Sequence, residues 1–321
     1  MSTSHVYRAR RLRVVLDGRV LEGTVGRLDG QAAWVNAAAI ASRWGARLDV
    51  GEDVLGWHDP RTGRTVVFRR GRAQAHLDGD GAVVALAASP DWSDGMLIFP
   101  ADAVALAGGA SVSVDTRAGV VFLTRPDPYL SSWRILLDPG HGGRDPGSSL
   151  GGGLVEKDLN LSVARRLGRL LKAAGAVVGL TRVSDVDLTA GDRCARARRF
   201  RAAMAVSIHH GLLPEASLQG AEAYFYRRED SRRLAASLAG ALARGLHLPS
   251  RGVREANVGF LSCLSCPAAV TEAALPGDDD ILRKLNHPWG RIQEALALLE
   301  GIRGFCSTAQ ADGVVWGYPS P

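Results

Sequence analysis

Trp133-Arg-Ile-Leu-Leu-Asp-Pro-Gly-His-Gly-Gly143 joins an apolar run to a loop in which three glycines surround one histidine. The run Trp133–Asp138 predicts a buried strand, and the loop marks where it stops. Beyond it, Leu159, Val163, Leu167, Leu170 and Leu171 recur at helical spacing within Asp158–Ala174, and Gly175 follows as a stop. Ala176–Thr181 predicts a strand, Asp192–Arg201 a basic helix, and Ala203–Ile208 and Ala221–Tyr226 further strands. Ser231–Leu246 predicts a helix, Ala268–Thr271 a short buried strand and Pro288–Gly301 a last helix. Alternating strands and helices predict an α/β fold over residues 133–305. The expected form is an open, twisted, mainly parallel sheet with helices on both faces. The tail, residues 306–321, is rich in Gly and Pro and is assigned no structure.

Upstream, Thr124–Ser132 carries two prolines among polar residues and predicts a domain boundary. Residues 6–125 contain an internal repeat. Trp34–Val50 aligns with Ile98–Val114, with Ala37/Ala101, Ala39/Ala103, Ala41/Ala105, Gly45/Gly109, Ala46/Ala110 and Val50/Val114 matching. Each copy reads as an Ala-rich helix, a Gly stop and an alternating strand, with a further strand after each (Thr65–Phe68 and Gly119–Leu123). Two copies of one unit predict a smaller duplicated α+β domain.

Composition sets outer limits. With 321 residues, 46% hydrophobic and 22% charged, the chain can bury two cores and does not read as disordered. A net charge of +6 attracts polyanions, unless it reflects only a preference for Arg. No basic run is interleaved with aromatics, so nucleic acid is not an expected partner. No apolar stretch is long enough for a transmembrane segment, and the N-terminus has no signal-peptide core. Of four cysteines, Cys263 and Cys266 have clip spacing, but no second pair completes a tetrahedral site. All four are expected as buried or free thiols.

In open α/β sheets ligands bind beyond the carboxyl ends of strands. Strand ends lead here to His141, to His209-His210 and to Glu272, and Glu156 lies in a Gly-rich loop before a helix. Two imidazoles and a carboxylate suit zinc, which keeps a fourth position for water. His141, Glu156 and His209 are the expected metal ligands, and Glu272 the expected catalytic base. Each has a plainer reading alone: a helix cap for His141, a first-turn carboxylate for Glu156, a core histidine for His209, an arginine partner for Glu272. His210 should point away from His209 if the strand continues. His5, His58 and His76 are isolated and are not expected to be ligands.

These residues resemble a known family. Ile135–Gly147, Glu156–Leu161, Leu180-Thr-Arg182, Val206–His209, Ser231–Ala235, Arg251-Gly-Val253 and Pro267–Glu272 are similar, in order, to the motifs of the zinc-dependent N-acetylmuramoyl-L-alanine amidases, amidase family 3. The duplicated segment resembles the copper amine oxidase N-terminal-like domain found attached to wall hydrolases, a name that implies no copper. The resemblance implies a peptidoglycan hydrolase that cuts the amide between N-acetylmuramic acid and L-alanine. It places Zn2+ on His141, Glu156 and His209, and the catalytic carboxylate on Glu272. Peptidoglycan is the implied partner, with anionic wall polymers beside it. The implied site of action is the cell wall or exterior; without a visible leader, three routes stay open: another export path, a leader already removed, or retention in the cytoplasm until release. His210-Gly211 and Ala273-Ala-Leu275 depart from the family's flanking residues. Two other readings stay open: a zinc peptidase acting within the stem peptide, and a degenerate wall-binding protein without activity.

Overall fold

The computed structural model describes residues 10–30, 32–78, 81–92, 97–131, 133–211, 220–273 and 279–313. His5, Ala274, Leu275 and the tail from 314 onward therefore lie outside the described residues. The chain divides at Arg125/Pro126 into two compact units.

In the first unit, β1 (Arg10–Leu16) and β2 (Arg19–Asp29) precede one repeat copy, β3–α1–β4 (Ala32–Asn36, Ala37–Trp44, Arg47–Val50). Next come β5 (Val54–Asp59), β6 (Arg64–Arg69), β7 (Gln74–Leu77) and β8 (Val83–Ala85). The second copy, β9–α2–β10 (Ile98–Pro100, Ala101–Ala107, Ser111–Asp115), and β11 (Val120–Thr124) complete the unit. Both copies are thus strand–helix–strand. The Asn36 side chain accepts from the Ala39 N–H at 3.0 Å, and Gly45 ends α1 at φ 69°. The copies meet at Trp44 and Gly108: a Cβ on Gly108 would lie 2.1 Å from the Trp44 ring.

The two copies close differently. One sheet has the order β10-β11-β1-β2-β3-β9, so β3 and β9 pair with each other. The other runs β4-β5-β6-β7-β8, so the closing strands β4 and β10 go to different sheets. Strand β5 is not among the sequence expectations because Gly56 interrupts its pattern, yet Leu55, Trp57 and Asp59 all turn inward. Residues of both sheets share one core, in which Phe68 and Phe99 meet edge to face at 5.1 Å.

The second unit begins with β12 (Arg134–Pro139), a hairpin of β13 (Ser149–Gly151) and β14 (Leu154–Val155), and α3 (Glu156–Ala173). It continues with β15 (Val177–Leu180), α4 (Ala190–Phe200), β16 (Met204–His209), β17 (Ala221–Phe225), α5 (Glu229–Leu246) and β18 (Ser250–Glu255). Helix α6 (Gly259–Ser262), β19 (Ala268–Glu272), α7 (Asp279–Asn286) and α8 (Pro288–Ala311) follow. The sheet order is β15-β12-β16-β19-β17-β18, and every neighbouring pair is parallel except β19 with β17. Gly168 of α3 packs over Leu137, Val178 and Leu180, whereas Leu136, Ala205 and Val270 pack with residues of α4 and α6. Alternate residues of a strand face opposite ways, so helices cover both faces. Among the described residues no helix is long and apolar enough to cross a membrane.

Two expectations are corrected here. Helix α8 does not stop at Gly301 but runs to Ala311, so the start of the expected tail is helical. Gly301 is a gap that lets α5 approach: a Cβ there would lie 3.0 Å from the Leu238 Cα. The cysteines are not all thiols. Cys194 on α4 and Cys263 after α6 form a disulfide with Cα atoms 6.1 Å apart, while Cys266 and Cys306 are free and buried. The thiol expectation failed because Cys263 finds its partner on a packed neighbouring helix, 69 residues away.

Candidate metal centre

Strand β12 delivers Asp138 and Pro139 to the sheet edge, and the chain turns through Gly140 into His141. Gly140 can carry no side chain, since a Cβ would sit 2.1 Å from the His209 ring. His141 is held at φ 60°, a conformation that disfavours a side-chain-bearing residue and persists only where the surroundings impose it. They do so through two arginines. Arg193 of α4 donates to Asp138 Oδ1 at 2.6 Å, to the Pro139 carbonyl at 2.9 Å and to the His141 carbonyl at 2.8 Å. Arg182, 1% exposed, donates to the carbonyls of Pro139, Gly140 and Lys157 at 3.0, 2.8 and 2.7 Å. Ser207 Oγ completes the clamp on Asp138 Oδ2 at 2.7 Å.

Glu156 is the first residue of α3, as the plainer reading of it expected, and its carboxylate also faces both histidines. His141 Nε2 and His209 Nδ1 each lie 3.1 Å from Glu156 Oε1, and the two rings are 4.8 Å apart between centroids. His209 ends β16, beside Pro139 and Gly140, because β12 and β16 run parallel in register. One ligand atom from each of the three residues lies within 4.8 Å of the others. Donors about 2.0–2.2 Å from a tetrahedral ion stand roughly 3.3 Å apart, so the set fits a divalent metal. Asp145 Oδ2 meets His141 Nδ1 at 2.8 Å, which leaves Nε2 free to coordinate and orients the ring.

Electrostatics follow from this crowding. Burial of Glu156 favours the neutral form, but hydrogen bonds from His141, His209 and the Ser148 N–H overcome it and hold the carboxyl far below its usual range. Burial likewise acts against the His141 cation, but Glu156 and Asp145 outweigh it and raise its pKa. Glu272 is the next rung of the sheet, paired in register with His209 on one side and Glu222 on the other. It is 5% exposed, and its Oε2 has no hydrogen-bond partner among the described residues. Burial first, then the charges of Glu156 and Glu222, push its pKa well above the carboxylate range. The arginines nearby serve Glu222 instead: Arg251 and Arg254 approach its Oε2 at 3.6 and 3.4 Å, and the Tyr224 hydroxyl donates to its Oε1.

All four residues expected from the sequence thus stand at one edge. His210 is fully buried and its ring bonds Asn160 and Glu294, and His58 binds Asp49 and Thr65 in the first unit. Sequence reading assigned no role to Asp145, Arg182, Arg193 or Glu222. Only Asp145 carried a usable signal, lying four residues from His141 in the same loop.

The second unit is similar in sequence and fold to known proteins. The N-acetylmuramoyl-L-alanine amidase family model matches residues 135–304. The chain is 32% identical to the N-acetylmuramoyl-L-alanine amidase LytC of Bacillus subtilis, over 52% of this chain and 34% of that one. The matched part thus spans about a third of that relative's length. An N-acetylmuramoyl-L-alanine amidase structure from Clostridium difficile 630 superposes with TM-score 0.52 at 26% identity, covering 56% of this chain and 98% of that one. The amidase AmiC2 of Nostoc punctiforme gives TM-score 0.51 at 29% identity, with 55% and 97% covered.

Proposed function

We propose that this chain, which belongs to the N-acetylmuramoyl-L-alanine amidase family, hydrolyses the bond between N-acetylmuramic acid and L-alanine in peptidoglycan. The observation that carries the reading is the convergence of His141, Glu156 and His209 on one point, with Glu272 on the adjoining strand. His141 would present Nε2, His209 Nδ1 and Glu156 Oε1 to a zinc ion. Bound zinc supplies a water of lowered pKa and polarises the substrate carbonyl. Glu272 takes the proton of the attacking water on Oε2, which has no hydrogen-bond partner among the described residues, and hands it to the departing alanyl nitrogen. The pocket that raises its pKa suits it to hold that proton between the two transfers. Arg182 and Arg193 keep the His141 loop rigid while this happens.

The Cys194–Cys263 disulfide supports action at the cell wall or outside the cell, since such bonds persist in oxidising surroundings. The first unit we read as a wall-positioning module of the copper amine oxidase N-terminal-like kind. The chain's net charge of +6 is complementary to anionic wall polymers.

Mass analysis of digested murein tests the proposal. Intact stem peptides beginning with L-alanine are expected; fragments cut within the stem would establish the peptidase reading instead. No cleavage of purified walls by zinc-loaded protein would leave the non-catalytic reading.

A further inference from the structure

Behind the three converging residues lies a second polar set, which the proposed reaction does not use. His210 and Glu294 are both 0% exposed. His210 Nε2 is 2.8 Å from Glu294 Oε2 on α8, and its Nδ1 is 2.6 Å from Asn160 Oδ1 on α3. The Asn160 amide nitrogen donates to the Gly140 carbonyl at 3.2 Å and reaches Glu156 Oε1 at 3.4 Å. The His210 backbone N–H also donates to Glu156 Oε1, at 3.2 Å.

Donor and acceptor chemistry makes this a directed chain. Both neighbours of the Asn160 nitrogen are acceptors, so its NH2 must point to them and its oxygen must accept. His210 Nδ1 therefore carries a proton, and the ring can sit in only one orientation. Glu294 pins the far side of that ring. At the near end is Glu156 Oε1, the oxygen on which His141 and His209 converge. A buried carboxylate on α8 is costly to desolvate, and an apolar residue would pack there at less cost.

We infer that Glu294 is a positioning residue for the metal centre: through His210 and Asn160 it fixes the carboxylate of Glu156 in the orientation that binds the ion. This rests on the reading of His141, Glu156 and His209 as ligands. A mere tie between α8 and the sheet would stabilise the fold without affecting metal affinity, and this difference can be measured.

The experiment is zinc affinity of the full chain, by competition with a chromophoric chelator, alongside melting of the metal-free protein. Glu294→Met is expected to weaken zinc binding by about 10–100-fold, whereas Glu294→Gln, whose amide NH2 can still donate to His210 Nε2, stays within about threefold. If Glu294→Met alone fails to fold, the double variant His210→Ala/Glu294→Met carries the test, because it leaves no buried carboxylate unpaired. That variant is expected to fold and still bind zinc at least about tenfold more weakly. Parental affinity in either folded Met variant would overturn the inference while leaving the ligand reading intact. A parental chain that binds no zinc would overturn both.

Discussion

The first unit joins neighbouring strands antiparallel everywhere except between β1 and β11, whereas β15, β12, β16 and β19 of the second unit all run parallel. The difference decides where chemistry can gather. Successive antiparallel strands end at opposite edges, so polar residues meet side by side along neighbouring strands, as Asp49, His58 and Thr65 do on β4, β5 and β6. Parallel strands end together. In the second unit His209 and Glu272 are register partners at the final positions of β16 and β19, and β12 leads into His141 beside them. A histidine with a carboxylate 2.7–3.1 Å away occurs in both units, but among the described residues only the parallel edge assembles three ligand atoms round a point.

The sharpest test of that contrast is metal binding. Glu156→Ala or His209→Ala should abolish stoichiometric zinc binding, measured by elemental analysis after dialysis, whereas His58→Ala and His76→Ala should leave it unchanged. Zinc lost from a first-unit variant would break the comparison. Next comes turnover: Glu272→Gln should retain zinc and slow stem-peptide release by about a hundred- to ten-thousandfold. A Glu272→Gln enzyme as fast as the parent would remove the glutamate from the proposed mechanism.

Stability separates the units too. Arg193→Met strands the buried Asp138 and should cost about 3–5 kcal/mol in denaturant unfolding. Arg47→Ala breaks an exposed pair with Asp49 in the first unit and should cost under about 1 kcal/mol. All four cysteines lie in the second unit. Opening the Cys194–Cys263 bridge should therefore weaken that unit by about 2–4 kcal/mol, seen as faster hydrogen exchange in β12 and β16 but not in β1 or β11. Equal acceleration in both units would sink this expectation.

The smallest effect is one of pH. In the metal-free protein the folded state keeps a proton on Glu272 that the unfolded chain releases near 4.5. The native state then binds more protons than the unfolded one, so stability falls as pH rises from 4.5 toward the raised folded pKa. Glu272→Gln should flatten that decline in melting temperature; an unchanged slope would assign it to other groups.

Much of the second unit was legible along the chain. Its strands and helices follow period and stop signals, and the groups at the strand ends stand where a parallel sheet must collect them. The sequence also left His210 out of the ligand set, and its ring bonds Asn160 and Glu294, although β16 ends one residue before it. It misread Gly301 as a helix stop, because one glycine serves equally as a terminator and as a gap for a packed helix. The disulfide was missed because all four cysteines read as thiols along the chain, whereas the bond follows from α4 and α6 lying side by side. In the first unit the duplication was readable, but that its closing strands would enter different sheets was not.

The sequence by itself pointed to two domains, the repeat in the first, the α/β alternation in the second and, together with the family resemblance, the four residues at its edge. These properties are local, or follow from where a strand must end. Tertiary structure alone decided that Arg182 and Arg193 clamp the loop of His141, that Glu222 flanks Glu272, and that Glu294 reaches His210 from 84 residues away. Such contacts depend on which side chains are buried together, and a buried charge takes its role from its neighbours in space.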